Sequence, residues 1–236
     1  MNASRFLRIA SAAVLTGLTA PLGLAQGATQ LARVIQTTEA EFPTTVTTIQ
    51  LAYGAASVVI NVDADGKLAD CLVTKYTDPA FADEAVRVLR EWKYQPALVD
   101  GKPVGSLLTL SFEFRAHLKV MTTYDPDPFH GRLYSFLGPR VTQVLHQAAE
   151  LDEPVTTVQT VKPEVSAPPA GGNVLVSFYV DPEGRARMPV VVSSSQDLLA
   201  QAAVDALTQW RFKPPTVAGH PAAVRVEQEF VFTQRT

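Results

Sequence analysis

The chain has 236 residues, 47% of them hydrophobic and 18% charged, with one cysteine and a formal net charge of −3. That balance excludes an intrinsically disordered chain, a disulfide framework and a zinc site built on several thiolates. Its 20 basic and 23 acidic residues offer no basic surplus for nucleic acid, which is not expected as a partner.

Arg5 and Arg8 form a short positive start, and Ile9 to Ala32 carries no charge. This stretch is apolar, meets Pro21 and closes on the small residues of Gly23-Leu24-Ala25. Charged start, apolar middle and small-residue end are the layout of a secretory signal. Residues 1–25 are therefore read as a signal peptide, with cleavage between Ala25 and Gln26, and the mature protein as exported to the periplasm. An uncleaved inner-membrane anchor is the alternative, because the uncharged run approaches the ~20 residues of a spanning helix. Gly17, Pro21 and Gly23 count against it. Membrane contact is expected only if this segment is retained.

The interior carries a duplication. Displaced by 118 residues, Ser57–Phe114 lies over Leu175–Phe232 without a gap. Val62-Asp63-Ala64-Asp65-Gly66-Lys67 falls on Val180-Asp181-Pro182-Glu183-Gly184-Arg185, and Trp92-Lys93-Tyr94-Gln95-Pro96 on Trp210-Arg211-Phe212-Lys213-Pro214. Gly101-Lys102-Pro103 falls on Gly219-His220-Pro221, and the two tryptophans of the chain align with each other. Such self-similarity marks one module present twice.

Within each copy, Val58, Ile60 and Val62, or Val176, Phe178 and Val180, alternate with their neighbours as in a strand with one buried face. The Asp-x-acid-Gly that follows is a tight turn, Asp bonding its own backbone and Gly taking positive φ. A second strand is expected at 68–75 and 186–193; Pro189 marks the latter as an edge or a bulge. Phe81, Ala85, Leu89 and Trp92, like Leu199, Ala203, Leu207 and Trp210, then recur at helical spacing. Asp78-Pro79 provides a capping side chain and a first-turn proline, and Ser195 is the expected cap of the second helix. Pro96 and Pro214 set the far limit. A Gly-x-Pro turn leads to a last strand, about 104–114 and 224–232.

The expected fold is α+β: two small ββαβ modules, each a three-stranded antiparallel sheet with one helix on a face, at 40–115 and 163–236. Residues 116–162 are read as a linker, in which Val141, Val144, Leu145, Ala148 and Leu151 suggest one amphipathic helix between Pro139 and Pro154.

The ordered set of Val-Asp-x-acid-Gly, Trp-basic-aromatic-x-Pro and Gly-x-Pro before a final strand resembles the C-terminal domain of TonB-family proteins. Phe42-Pro43 looks like the family's Tyr-Pro entry; the second copy has only Lys162-Pro163. The resemblance covers about 42–114 and 163–232. It implies a cell-envelope protein-interaction module related to energy-dependent outer-membrane transport. The partner is a protein, such as a segment of an outer-membrane transporter, added as a strand to a sheet edge. By analogy that edge is the final strand, with Leu108, Leu110 and Phe112 in the first copy and Val226, Gln228 and Phe230 in the second. The family's transducers keep an anchor bearing a His and a long Pro-rich spacer. Segment 9–32 has no His and the spacer is missing, so a periplasmic relative is expected rather than a motor-coupled one. Two modules paired edge to edge form a third, purely structural reading.

No catalytic residue, cofactor or metal site is assigned. Asp63/Asp65 and Asp181/Glu183 suit turns better than calcium loops, which need more oxygen ligands in series. Trp92 and Trp210 suit core packing, with the indole N–H on a backbone partner. His117, His130, His146 and His220 lack metal-ligand spacing. Ser193-Ser194-Ser195 lacks a nucleophile elbow. Cys71 is expected to be half-buried and inert, an intermolecular disulfide being the alternative. Tyr124, Phe129, Tyr134 and Phe136 form an aromatic cluster that covers a sheet edge or meets a partner.

Overall fold

The computed structural model describes residues 30–46, 53–116, 141–165 and 171–233. The expected signal peptide and the aromatic cluster of the linker lie outside them. The chain divides into two compact units between Gln143 and Val144. Each combines one long helix with antiparallel sheet, so the protein is α+β.

In the first unit, β1 (Arg33–Gln36) leads to β2 (Tyr53–Val62) and β3 (Leu68–Tyr76). Helix α1 (Pro79–Leu89) follows, then β4 (Lys93–Gln95), β5 (Ala97–Val99), β6 (Lys102–Val104) and β7 (Ser106–Arg115). β2 is central, with β7 on one side and β3 on the other. The β2–β3 turn has the expected chemistry: Asp63 Oδ1 accepts the N–H of Asp65 at 2.9 Å and of Lys67 at 2.8 Å. Helix α1 starts as expected, Asp78 accepting the Ala80 N–H at 2.9 Å with Pro79 in the first turn. It buries Phe81, Ala82, Ala85, Val88 and Leu89 against Val58, Ile60, Val62, Leu110, Phe112 and Phe114. Gly54 lies where the Phe81 ring crosses β2. A Cβ there would stand 2.1 Å from Phe81 Cε2, so the strand must carry glycine for the ring to reach the sheet.

The second unit repeats the plan. β8 (Thr142–Gln143) belongs to the first unit, and β9 (Leu145–His146) and β10 (Thr157–Gln159) open the second. β11 (Gly172–Val180), β12 (Ala186–Ser194), α2 (Asp197–Thr208), β13 (Arg211–Phe212), β14 (Thr216–Val217), β15 (His220–Pro221) and β16 (Ala223–Phe232) follow. β11 is central between β12 and β16. β12 is an edge strand, and its register against β11 shifts around Pro189, as the missing donor of proline requires.

Four expectations change. The main sheet of each unit has four strands among the described residues rather than three, because β8 pairs antiparallel with β3 and β9 pairs parallel with β16. The helix expected around 141–151 is absent; the segment holds β8, β9 and a three-residue 3-10 turn at Ala148–Glu150. Its backbone groups go to sheet edges instead, as where the Ala223 N–H donates to Val144 O at 2.7 Å. Residues 144–162 pack with the second unit rather than spacing two modules: β10 pairs with β13, and Leu151, Val155 and Val161 lie against its core. Ser195 does not cap α2, whose N-cap is Gln196 without a side-chain bond. Its Oγ accepts the Asn173 N–H at 3.0 Å and donates to Asn173 O at 3.2 Å. Thr77 clamps Ala55 in the same way, at 2.9 Å and 3.3 Å; the two clamps occupy aligned positions in the copies.

Both tryptophans lie past the ends of their helices, 5% and 9% exposed. Trp92 Nε1 donates to Thr38 O at 2.9 Å and Trp210 Nε1 to Val161 O at 2.8 Å. Each indole thus ties the lead-in segment to its module, as amphipathic aromatic rings do when buried.

Candidate functional site

The two final strands have a core-facing side and an opposite side that is largely half-buried on β7 and exposed on β16. On β7, Leu110 and Phe112 are 4% and 5% exposed, with Leu108 against the same core. The Phe112 ring centroid is 5.5 Å from that of Trp92. On β16, Phe230 is 7% exposed and its ring centroid lies 5.4 Å from that of Trp210. Val226 packs partly buried on that core. Gln228 is half-buried, its Nε2 donating to Glu229 O at 2.7 Å. The six residues singled out from sequence therefore share the core-facing side of their strands.

Backbone direction sorts the same strands. Thr77 N–H donates to Ala55 O at 3.0 Å and Thr74 Oγ1 to Ser57 O at 3.1 Å, so the odd residues of β2 turn their backbone groups toward β3. Successive residues of a strand turn to opposite edges. The even residues of β2 therefore face β7, where Ala56 meets Phe112, Val58 meets Leu110 and Ile60 meets Leu108. The backbones of Leu108, Leu110 and Phe112 are thus engaged with β2. Those of Leu107, Thr109, Ser111 and Glu113 point outward, and β7 has no second strand neighbour among the described residues. In the second unit the Ala223 N–H points away from β11, to Val144 O. By the same alternation, Arg225, Glu227, Glu229 and Val231 point outward.

The two outer edges differ. β9 occupies the start of β16, Leu145 and His146 lying beside Ala223 and Val224. Farther along, Arg225 Nε donates to Ser177 Oγ at 2.8 Å and Asn173 Nδ2 to Glu229 Oε1 at 3.0 Å. Exposed charges on a strand discourage edge-to-edge pairing, and the outward positions of β16 carry three of them. Those of β7 carry one, at Glu113, which sits 3.8 Å from Arg115. The Arg115 guanidinium stands 6.0 Å above the Tyr53 ring. Burial, then the Glu113 carboxylate, raise the Tyr53 hydroxyl above its ordinary pKa despite Arg115.

Elsewhere the acidic turns do structural work. Asp181 is fully buried and accepts the N–H groups of Glu183 and Arg185 at 3.1 and 2.8 Å. Its Oδ2 takes Arg185 Nε at 2.8 Å and Arg187 Nη1 at 3.1 Å. Among the described residues no three His, Cys, Asp or Glu side chains are grouped to hold a metal ion. His146 Nδ1 lies 3.3 Å from Glu150 Oε2, and His220 is exposed on β15; His117 and His130 lie outside the described residues. Cys71 is half-buried and packed against the first core. No helix among the described residues is long and apolar enough to cross a membrane.

The Gly-x-Pro turns located the final strands in the sequence, but the residues assigned to them by resemblance lie on the core side, and the positions whose backbone points outward lie between them. The lead-in strands β1 and β10 escaped the sequence reading, being short and mostly exposed.

No curated protein matches the chain. The family model of the Gram-negative bacterial TonB protein C-terminal matches residues 50–116 and 169–233, more than half of the chain and one segment in each unit. The chain belongs to the TonB family, with tandem TonB C-terminal-like domains.

Proposed function

We propose that the protein is an exported cell-envelope interaction module, each copy a ββαβ unit, that takes up an extended segment of a protein partner by strand addition to β7. Membership of the TonB family supports a role in energy-coupled outer-membrane transport through contacts with other envelope proteins. The family acts by protein interaction and energy transduction. One observation carries the reading: β7 is ten residues long and paired on one side only among the described residues.

Leu107, Thr109, Ser111 and Glu113 each offer an N–H and a C=O outward. Backbone bonds contribute about 1 kcal/mol each. Ordering a disordered segment costs about 2–5 kcal/mol, and association itself costs several more. Net binding is weak and transient unless side chains add to it, which suits a coupler that must release its partner. Leu107 and Thr109 beside the edge are the side chains placed to add selectivity. β16 is the lesser site, capped at its start and lined by charge.

The test uses substitutions that spare the core. Thr109→Pro removes an outward N–H and leaves the β2 ladder bonds intact, as proline is tolerated on edges. With a photo-crosslinking side chain at Ser111, envelope fractions should give an adduct with an outer-membrane transporter that Thr109→Pro abolishes and Glu227→Pro retains. An adduct indifferent to Thr109→Pro removes β7 from the mechanism. N-terminal sequencing of the mature protein tests export, retention of residues 1–25 favouring the anchored alternative.

A further inference from the structure

The first unit carries a groove on the side of its hairpin turn, of volume ≈ 490 Å³. Leu68, Trp92 and Tyr94 supply its apolar surface, and Ile35 of β1, 58% exposed, stands at its rim. Three further lining side chains are Lys67, Arg90 and Lys93, all exposed, and no carboxylate residue lines it. None of the three has an ion-pair partner among the described residues. The nearest acid in sequence, Glu91, is held by Arg87 at 2.8 Å. Asp63, at the turn, is occupied with backbone N–H groups.

The second unit is an internal control. Lys67, Arg90 and Lys93 align with Arg185, Thr208 and Arg211. One cation is therefore lost there, and the other two are satisfied: Arg185 by Asp181 and Glu183, both at 2.8 Å, and Arg211 by the Trp210 carbonyl at 2.8 Å. Arg185 and Arg211 sit opposite each other across an isolated bridge. Like charges so placed repel unless a counter-charge is supplied. In the second unit Asp181 and Glu183 supply it to Arg185; in the first, the aligned Asp63 and Asp65 make no ion pair with Lys67 among the described residues. A cation near a helix C-terminus is favoured by the helix dipole, which accounts for Arg90 but not for Lys67 or Lys93.

We infer that this groove binds an acidic peptide segment, its carboxylates meeting Lys67, Arg90 and Lys93 and a neighbouring apolar side chain lying on Trp92 and Leu68. The volume falls within the range of ligand pockets, about 300–1,000 Å³. A lipid surface fits less well: polybasic membrane patches gather about four to eight Lys or Arg, whereas this cluster has three, around a concavity, on a chain of net charge −3. The groove is separate from the β7 edge and does not depend on strand addition there.

The experiment titrates the full chain, labelled with ¹⁵N, with a blocked Ala-Glu-Leu-Glu-Ala peptide, its Gln counterpart, and vesicles containing phosphatidylglycerol. The acidic peptide should shift the amides of 66–68 and 90–94 and leave 184–186 and 208–212 unmoved. Affinity should fall about tenfold in the Lys67→Gln/Lys93→Gln double variant, less in Arg90→Gln alone, and further as salt shortens the screening length. All three side chains are exposed, and unchanged core resonances verify the fold of each variant. Absence of shifts with the acidic peptide, equal binding of the Gln peptide, equal shifts in both units, or shifts at 107–113 instead would each overturn the assignment. Groove shifts with vesicles but not with peptide would also overturn it, giving the site to a membrane.

Discussion

At Gly184 an added methyl would stand 2.2 Å from the Phe212 carbonyl oxygen, on a backbone at φ +77. The left-handed conformation alone costs an L-residue about 1–2 kcal/mol, and here a fixed carbonyl also blocks the space. Gly184→Ala should therefore cost about 3 kcal/mol or more. Gly101→Ala, at φ +75 with nothing within 4 Å, should cost only about 1 kcal/mol. Urea unfolding of the two variants compares clash with conformation directly. Asp181 is the second residue to probe. Burial pushes its carboxyl up, but the hydrogen bonds from the Arg185 backbone and guanidinium and from Arg187 outweigh that and hold it below the ordinary aspartate value. A folded-state pKa below the unfolded one gives stability that is fully present above about pH 4 and lost as pH falls through the folded value. The second unit should thus weaken in acid below pH ~4. Asp181→Asn should flatten that limb and cost about 2 kcal/mol at neutral pH by leaving two guanidinium groups without their shared carboxylate. Asp63 bonds backbone N–H groups that an Asn oxygen can still serve, so Asp63→Asn should cost less than about 1 kcal/mol. An acid limb that Asp181→Asn leaves unchanged would show that another carboxylate sets it.

The strand β7 makes a prediction at the level of alternate amides. Those of Leu108, Leu110 and Phe112 are turned toward β2 and should exchange slowly; those of Leu107, Thr109, Ser111 and Glu113 point outward and should exchange fast. Uniform protection along the strand would mean that its outer edge is covered. This two-fold pattern also marks what could be read without coordinates. Period-two spacing located β2 and β11, helical spacing both helices, and the Gly-x-Pro turns the final strands β7 and β16, since each signal is local to its own segment. The outward backbone positions of the final strands were not legible: Leu108, Leu110, Phe112, Val226, Gln228 and Phe230 are singled out by resemblance to the TonB C-terminal domain, and they lie on the core-facing side of their strands. Nor was the course of 141–151. Its apolar spacing suits a helix, but Val144 O and the β9 backbone are drawn to the margin of β16. A partner distant in sequence decided that segment, and nothing within it announces the partner. Ser195 failed as a cap for a similar reason, its hydroxyl being spent on Asn173, 22 residues away.

Across the whole molecule the two copies keep one plan and differ at their margins. The aligned cores, the turn aspartates, the hydroxyl clamps of Thr77 and Ser195 and the indole ties of Trp92 and Trp210 are shared. Among the described residues β7 has a strand neighbour on one side only, whereas β16 is capped at its start and charged; Lys67, Arg90 and Lys93 have no ion-pair partner among those residues, whereas Arg185 pairs with Asp181 and Glu183 and Arg211 donates to the Trp210 carbonyl. The duplication predicts how the chain unfolds. The core of the first unit, from Ala56 to Phe114, and that of the second, from Val174 to Phe230, share no residue. Each helix buries its stripe on its own sheet. Leu89, fully buried in α1, should cost about 2–5 kcal/mol when truncated to alanine. In native-state hydrogen exchange, Leu89→Ala should lower the protection of β2 and α1 by that amount and leave β11 and α2 at their original values. Loss of protection in both units together would mean that they unfold as one cooperative body, and the duplication would then have fused two cores in stability while leaving them separate in sequence.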